Sequence, residues 1–364
     1  MSISNKQQVV LTLDAGGTNF VFSAMQGGKM IVDPYRLPSN GDNLEKSLQN
    51  ILDGFNHVIT QLGDKKPEAI SFAFPGPADY PNGIIGDLQN LPGYRGGVAL
   101  GPMLEHKFGI PAYINNDGDL FAYGEAIGGL LPDINAKLAE NGSEKVYKNI
   151  IGITLGTGLG GGIVSNGQLH LGDNSMGGEI WLLPSKVLDH VNAEEASCIR
   201  AVQRFYKEFS GVDNADLTPK DIFEIAKGIQ EGDKASAQKA FDTLGENLGD
   251  VLCTLATSID ALIVIGGGLS GASELILPAT LKEMKSQYKS GTDRLVAKVF
   301  NLTSEEELGS FVKNNQLEIK VPFADHTVFY DASPKIGVGI SKLGTSEAIS
   351  LGAYAYAVNQ LEEK

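Results

Sequence analysis

Residues 9–32 read VVLTLDAGGTNFVFSAMQGGKMIV, and residues 149–171 read NIIGITLGTGLGGGIVSNGQLHL. Each is an apolar strand, a Gly/Thr turn, a second strand, a tighter turn and a third strand, because apolar runs bounded by glycine and asparagine clusters pair as hairpins. In the first copy the opening strand ends at Asp14, ahead of Gly16, Gly17, Thr18 and Asn19. In the second it ends at Leu155, ahead of Gly156, Thr157 and Gly158. The copies lie a domain's length apart, which reads as duplication of a fold unit and not as a short structural repeat.

Each copy is followed by helix and strand text of the same kind. Residues 44–63 carry Leu44, Leu48, Ile51, Leu52, Phe55, Val58, Ile59 and Leu62 at three-and-four spacing, one buried face of a helix. The helix feeds the strand AISFA, stopped by Pro75 and Gly76. In the second half Leu244, Leu248, Val251, Leu252 and Leu255 recur in the same way, followed by the strand ALIVI and Gly266, Gly267 and Gly268. The expected fold is therefore α/β in two halves, 1–117 and 118–364, with a cleft between them. A last helix at about 347–361 packs back on the first half. Insertions are expected at 185–235, helical, and at 281–330, polar and mixed.

The chain of 364 residues is long enough for two ordinary cores. Its net charge of −15, with no Lys/Arg cluster, argues against nucleic acid, whose binding draws on phosphate neutralisation. The opening MSISNKQQ is polar and no apolar run approaches spanning length, so a cytoplasmic protein with no membrane partner is expected. Cys198 and Cys253 are the only cysteines, too few for a disulfide framework or a multi-cysteine metal site.

The turns carry the chemistry. A strand that ends in Asp14 and then turns on Gly16, Gly17 and Thr18 exposes backbone N–H groups with no Cβ to hold a phosphate away. Asp14 itself would repel that phosphate unless a cation stood between them, which suits Mg²⁺ bound through one carboxylate and waters. Gly156, Thr157 and Gly158, with Gly160 and Gly161, supply an opposing grip. Neither turn is a P-loop, since GxxxxGK[ST] is absent, and neither opens into a helix as a dinucleotide fingerprint does. The run INNDGDLFAYGEA then places Asn115, Asn116 and Asp117 at the end of a strand, with Asp119 just beyond. A carboxylate at a cleft mouth can take the proton of an attacking hydroxyl, and a neighbouring amide can hold hydroxyls; the plainer alternative is that Asn116 and Asp117 cap a helix.

LDAGGTN, AFPGPAD followed by NLPGY, NNDGDLFAYGEA, LGTGLGGGIV, GGEI and IGGGLS stand in the order and spacing of the ROK-family sugar kinases, which the chain resembles from about residue 9 to the closing SLGAYAYA. The resemblance implies the actin-like ATPase fold with two ribonuclease-H-like domains, ATP and Mg²⁺ in the cleft, and γ-phosphoryl transfer to a hexose. It implies that Asp117 is the catalytic base, that Asn90, Asn116, Asp117 and Glu179 hold the sugar, that Gly266, Gly267 and Gly268 border the adenosine, and that the protein dimerises. Glucose is the default acceptor, with fructose, mannose and N-acetylated hexosamines behind it. A sugar-sensing regulator would need a DNA-binding segment before Asp14, and a phosphohydrolase of the same fold would leave the NND and GGEI pair without a purpose.

The departures are local. The family's GGEIGH supplies a histidine that contacts sugar and zinc, where this chain has GGEIWLLP, with Leu182 at that position beside Trp181. The family's cysteine-rich zinc motif is missing, and His190 with Cys198 is too small a set for a structural zinc site, so none is expected. Ile180, Trp181, Leu182, Leu183, Val187 and Leu188 offer apolar packing for the same loop. The acid that completes the family's sugar site corresponds to Glu194 or Glu195.

Overall fold

The structure is a computed structural model and describes residues 3–212 and 216–363. In the first half β1 (Val10–Ala15), β2 (Asn19–Gln26), β3 (Lys29–Met30) and β4 (Tyr35–Pro38) precede α1 (Leu44–Leu62) and β5 (Ala69–Ala73). A small three-stranded sheet of β6 (Ala78–Asp79), β7 (Ile84–Ile85) and β8 (Val98–Ala99) follows, then α2 (Leu100–Phe108) and β9 (Ala112–Asn115); α3 (Asp117–Gly128) and α4 (Leu130–Glu140) then lead into the second half. The second half has β10 (Ile150–Leu155), β11 (Leu159–Ser165), β12 (Gln168–Leu169), α5 (Ile199–Ser210), α6 (Pro219–Lys227), α7 (Lys234–Ile259) and β13 (Leu262–Gly266). It closes with α8 (Ser273–Met284), β14 (Lys298–Asn301), α9 (Glu305–Val312), β15 (Leu317–Lys320), β16 (Thr327–Tyr330), β17 (Lys335–Ile340) and α10 (Thr345–Glu362).

The two main sheets repeat one topology. The first runs β3-β2-β1-β5-β9, with β4 also on β2, and the second runs β12-β11-β10-β13-β17-β14. In each, the opening strand pairs antiparallel with the next (Asp14 opposite Val21, Thr154 opposite Gly160) and parallel with the strand after the helix. This is the duplication legible in the two quoted stretches. Asn166 and Gly167, both at positive φ, turn the β11–β12 hairpin that their sequence signals.

Burial follows the pattern of the sequence. In α1, Ile51, Phe55, Val58 and Leu62 are buried against Phe22 and Phe72 of the first sheet, and Asn43 caps the helix by accepting from the Lys46 N–H at 3.0 Å. In α7, Leu244, Leu248, Val251, Leu252 and Leu255 enter the core of the second half. Segment 185–235 holds α5 and α6, with 213–215 outside the described residues, and 281–330 is indeed mixed. Its β15–β16 hairpin is exposed along both strands.

Two helices tie the halves together. α10 starts slightly earlier than the spacing suggests, and Leu351, Tyr354, Ala357 and Val358 pack against Val10, Met25 and Ala69 of the first sheet. α3 instead packs on the second sheet through Phe121 and Ala122. They cross with no side chain between them: a Cβ on Gly124 would lie 1.9 Å from the Ala348 carbonyl oxygen, and one on Gly352 would lie 2.0 Å from that of Leu120.

Candidate active site

The candidate residues gather where parallel strands end. β9 ends at Asn115 and hands over to Asn116 and Asp117, β10 ends at Leu155 before the turn 156–158, and β13 ends at Gly266. Carboxyl ends of strands at the point where a sheet's connections diverge are the usual ligand position in open α/β folds. One cavity of about 400 Å³ is lined there by Asn116, Asp117, Gly156, Thr157, Gly158, Glu179 and Gly267. A second, of about 480 Å³, adjoins it and shares Asn116, Glu179 and Trp181 with it. Its remaining wall includes Pro77, Tyr80, Met176 and Leu182.

Asn116 is the N-cap of α3, its Oδ1 accepting the Gly118 N–H at 2.8 Å. The capping reading is therefore correct, and the same residue still lines both cavities. Its Nδ2 reaches the Tyr80 hydroxyl at 3.5 Å, and that hydroxyl donates to the Phe74 carbonyl at 3.0 Å. Asp117 is the first helical residue, with Oδ1 accepting from the Gly118 N–H at 2.8 Å. Its carboxyl is open to water on the cleft side and enclosed by protein on the others. That enclosure raises its pKa above the ordinary carboxylate value, against the lowering effect of backbone N–H donors.

Asp119, one helical step further on, is buried, and its Oδ1 has no hydrogen-bond partner among the described residues. Burial, then the charges of Glu179 and Asp117, raise its pKa well above the usual range. The buried Asp119 thus lies near two carboxyl groups, Asp117 and Glu179, that line the cavities.

The second turn is built tightly. The Gly156 N–H donates to the Gly158 carbonyl at 3.0 Å, and the Ile199 N–H donates to the Gly156 carbonyl at 2.9 Å. Of the two acids Glu194 and Glu195, Glu194 lines the first cavity, where its Oε2 accepts the Leu159 N–H at 3.0 Å and its Oε1 meets Arg200 at 3.3 Å; neither lines the second. Glu195 turns away to Arg200 and Arg204. Gly160 and Gly161 lie within β11 and not in the turn; both reach the lining, and their missing side chains make room for Thr154 and Ile180. Gly266 packs on the Phe121 ring, Gly267 donates its N–H to Thr345 Oγ1 at 2.8 Å in the lining, and Gly268 stands open.

Other expected residues lie outside these cavities. Asp14, Gly16, Gly17 and Thr18 are exposed at the end of β1, and Asn19 opens β2. The turn is shaped by the Gly16 N–H on the Asn19 carbonyl and by Ser39, whose hydroxyl donates to the Gly17 carbonyl at 2.6 Å. Asn90 is exposed on a loop fixed by buried Leu88, Leu91 and Tyr94. His190 is exposed and Cys198 is buried in the second core. Leu182 is not packed as its neighbours suggest: Ile180 is buried, Trp181, Leu183, Val187 and Leu188 pack on the core, and Leu182 is 59% exposed. Tyr80 and Thr345 line the site without a local sequence signal, since each comes from a segment distant in the chain from the turns, and Thr154 does so from β10, just ahead of the turn 156–158.

Twin sheets with one topology, crossed helices between them and a cleft at the strand ends define the actin-like ATPase class of fold. The chain belongs to the ROK family, which it matches over residues 10–309. It is 29% identical over 302 residues to a glucokinase of Halalkalibacterium halodurans, covering 76% of this chain and 84% of that one. The crystal structure of a glucokinase from Parabacteroides distasonis superposes with a TM-score of 0.92 at 52% identity, covering 99% of both chains. A ROK hexokinase of Thermus thermophilus, 20% identical, shares the fold with a TM-score of 0.67 over 97% of this chain and all (100%) of that one.

Proposed function

We propose that the protein is a cytoplasmic ATP-dependent hexose kinase that transfers the γ-phosphoryl of Mg-ATP to a hydroxyl of glucose. The observation that carries this reading is the shared cavity: Asp117 stands between a turn rich in backbone N–H groups, 156–158, and the amide and carboxylate of Asn116 and Glu179. The names of the glucokinases to which the chain is similar support the same reading.

In this account the sugar lies in the chamber walled by Tyr80, Asn116, Glu179 and Trp181, and the triphosphate lies along 156–158 with the adenosine near 266–268. The acceptor oxygen attacks the γ-phosphorus, its proton passes to an Asp117 oxygen, and ADP leaves. The transition state is loose, so positioning and charge stabilisation supply most of the acceleration and the base supplies less. Asp14 stands one residue from the end of β1, is exposed, and has no side-chain partner among the described residues, so its hard oxygens fit Mg²⁺ held through water. Mg²⁺ bound there would offset phosphate charge.

The first turn and Asn90 reach the ligands when the halves 1–117 and 118–364 close, with the crossing of α3 and α10 as the pivot. Closure also removes water from Asp117 and pushes its pKa further up, towards the value a general base needs. The test is a coupled assay of ADP release with Mg-ATP and a panel of glucose, fructose, mannose and N-acetylglucosamine. Sugar-dependent turnover greatest with glucose is expected; ATP hydrolysis with no sugar dependence would overturn the reading.

A further inference from the structure

The only tryptophan of the chain stands in the wall shared by the two cavities. A single 3-10 turn, Ile180–Leu182, sets it there, with Glu179 immediately before the turn and buried Ile180 anchoring it to the second core. One edge of the indole packs on that core, and its Nε1–H donates to Glu179 Oε2. The histidine position beside it is filled by Leu182, which is 59% exposed, lines the second cavity and offers no donor.

We infer that Trp181 is the positioning and specificity residue of the acceptor chamber, holding Glu179 by one oxygen so that Oε1 faces the sugar, and presenting its ring to the sugar's apolar face. The inference rests on the hexose-kinase reading. Its physical basis has two parts. A glutamate carboxylate keeps several rotamers in an open cavity, and a charge-assisted bond from a donor that cannot itself ionise or accept selects one of them while the carboxylate is ionised. The indole is also flat and apolar over its faces, which suits a pyranose whose hydroxyls are all equatorial and whose C–H face is unbroken; an axial hydroxyl on that face would meet carbon instead of water. Asn116, in the same shared wall, adds an amide to a chamber that Pro77, Met176 and Leu182 also line.

The experiment compares wild type, Trp181→Phe, Glu179→Ala and the double variant in steady-state kinetics, varying glucose and ATP separately. Trp181→Phe keeps a ring and removes the donor. It is expected to raise the glucose KM about tenfold, the scale of one lost hydrogen bond, with kcat and the ATP KM changed less than about twofold. Because the indole acts through Glu179, the double variant is expected to be no worse than Glu179→Ala alone. An unchanged glucose KM in Trp181→Phe, an equal rise in the ATP KM, or additive effects in the double variant would each overturn the inference while leaving the kinase reading in place. A wild type that phosphorylates no hexose would overturn both. Should Trp181→Phe fail to fold, wild-type emission decides: a saturable change in tryptophan fluorescence on adding glucose without nucleotide supports the inference, and no change overturns it.

Discussion

Gly118 in α3 lies directly on Gly161 in β11: a Cβ on Gly118 would fall 2.4 Å from the Gly161 carbonyl oxygen. The reciprocal contact is as close, with a Cβ on Gly162 falling 2.3 Å from the Gly118 carbonyl oxygen. No ordinary side chain fits either gap. This pair seats the start of α3 on the second sheet, so that Asp117, carried by the first turn of that helix, projects over the cavity beside 156–158. Gly118→Ala is therefore expected to lift the helix start, destabilise the protein by about 1–3 kcal/mol and lower kcat more than either KM. Urea unfolding and steady-state kinetics of the same preparation check it; unchanged stability and turnover would show that the contact is not tight in solution.

The loop 183–198 is held by Asn247 of α7, which is fully buried. Its Oδ1 accepts from the Ser185 hydroxyl at 2.8 Å and the Lys186 N–H at 2.9 Å, and its Nδ2 donates to the Ala193 carbonyl at 3.1 Å and the Ser197 hydroxyl at 2.9 Å. One amide thus spends all its hydrogen-bonding capacity on the segment for which the family's cysteine motif is missing. Asn247→Ala strands buried groups on both sides and is expected to cost about 3 kcal/mol, measured by denaturant unfolding. The paired expectation is that purified protein carries no stoichiometric zinc by elemental analysis and keeps its activity in a zinc-selective chelator.

Asp119 makes stability depend on pH. Its folded-state pKa is raised by burial and by the charges of Glu179 and Asp117, so the folded state binds its proton more tightly than the unfolded chain does. The contribution is fully present below the unfolded value, about 3.9, and is lost as pH rises through the folded one. Asp119→Asn, neutral throughout, is expected to match wild type in acid and to become progressively the more stable of the two as pH rises. Melting temperatures of both proteins from pH 5 to 9 check the sign; a wild type that gains on the variant with rising pH would contradict it.

What the sequence made legible was whatever repeats locally. The two hairpin units, the α1 stripe and the strand ending at Asn115 follow from alternation, three-and-four spacing and turn residues close together in the chain. Glu194 and Glu195 could not be told apart, because they are neighbours on the 3-10 turn Ala193–Ala196 and both reach Arg200, while only the fold turns Glu194 towards Leu159 and the cavity. Glycine is ambiguous for a related reason. Gly156 leaves backbone open to a ligand and Gly161 leaves room for Ile180, and composition reads the same in both. Tyr80 and Thr345 reach the site only through tertiary packing. Asp14, Asn19 and Asn90 sit apart from the cavities, and a linear motif carries no information on how far a cleft stands open.

The central claim is that Asp117 accepts the proton of a hexose hydroxyl in the cavity it shares with 156–158 and Glu179. The most direct measurement is single-turnover phosphorylation of glucose by Asp117→Asn against wild type, with binding of glucose and of Mg-ATP titrated separately. The account predicts a well-folded variant that binds both ligands, turns over roughly 10²-fold or more slowly, and loses the acid limb that protonation of Asp117 gives the wild-type pH profile. Near-normal turnover by folded Asp117→Asn would contradict it.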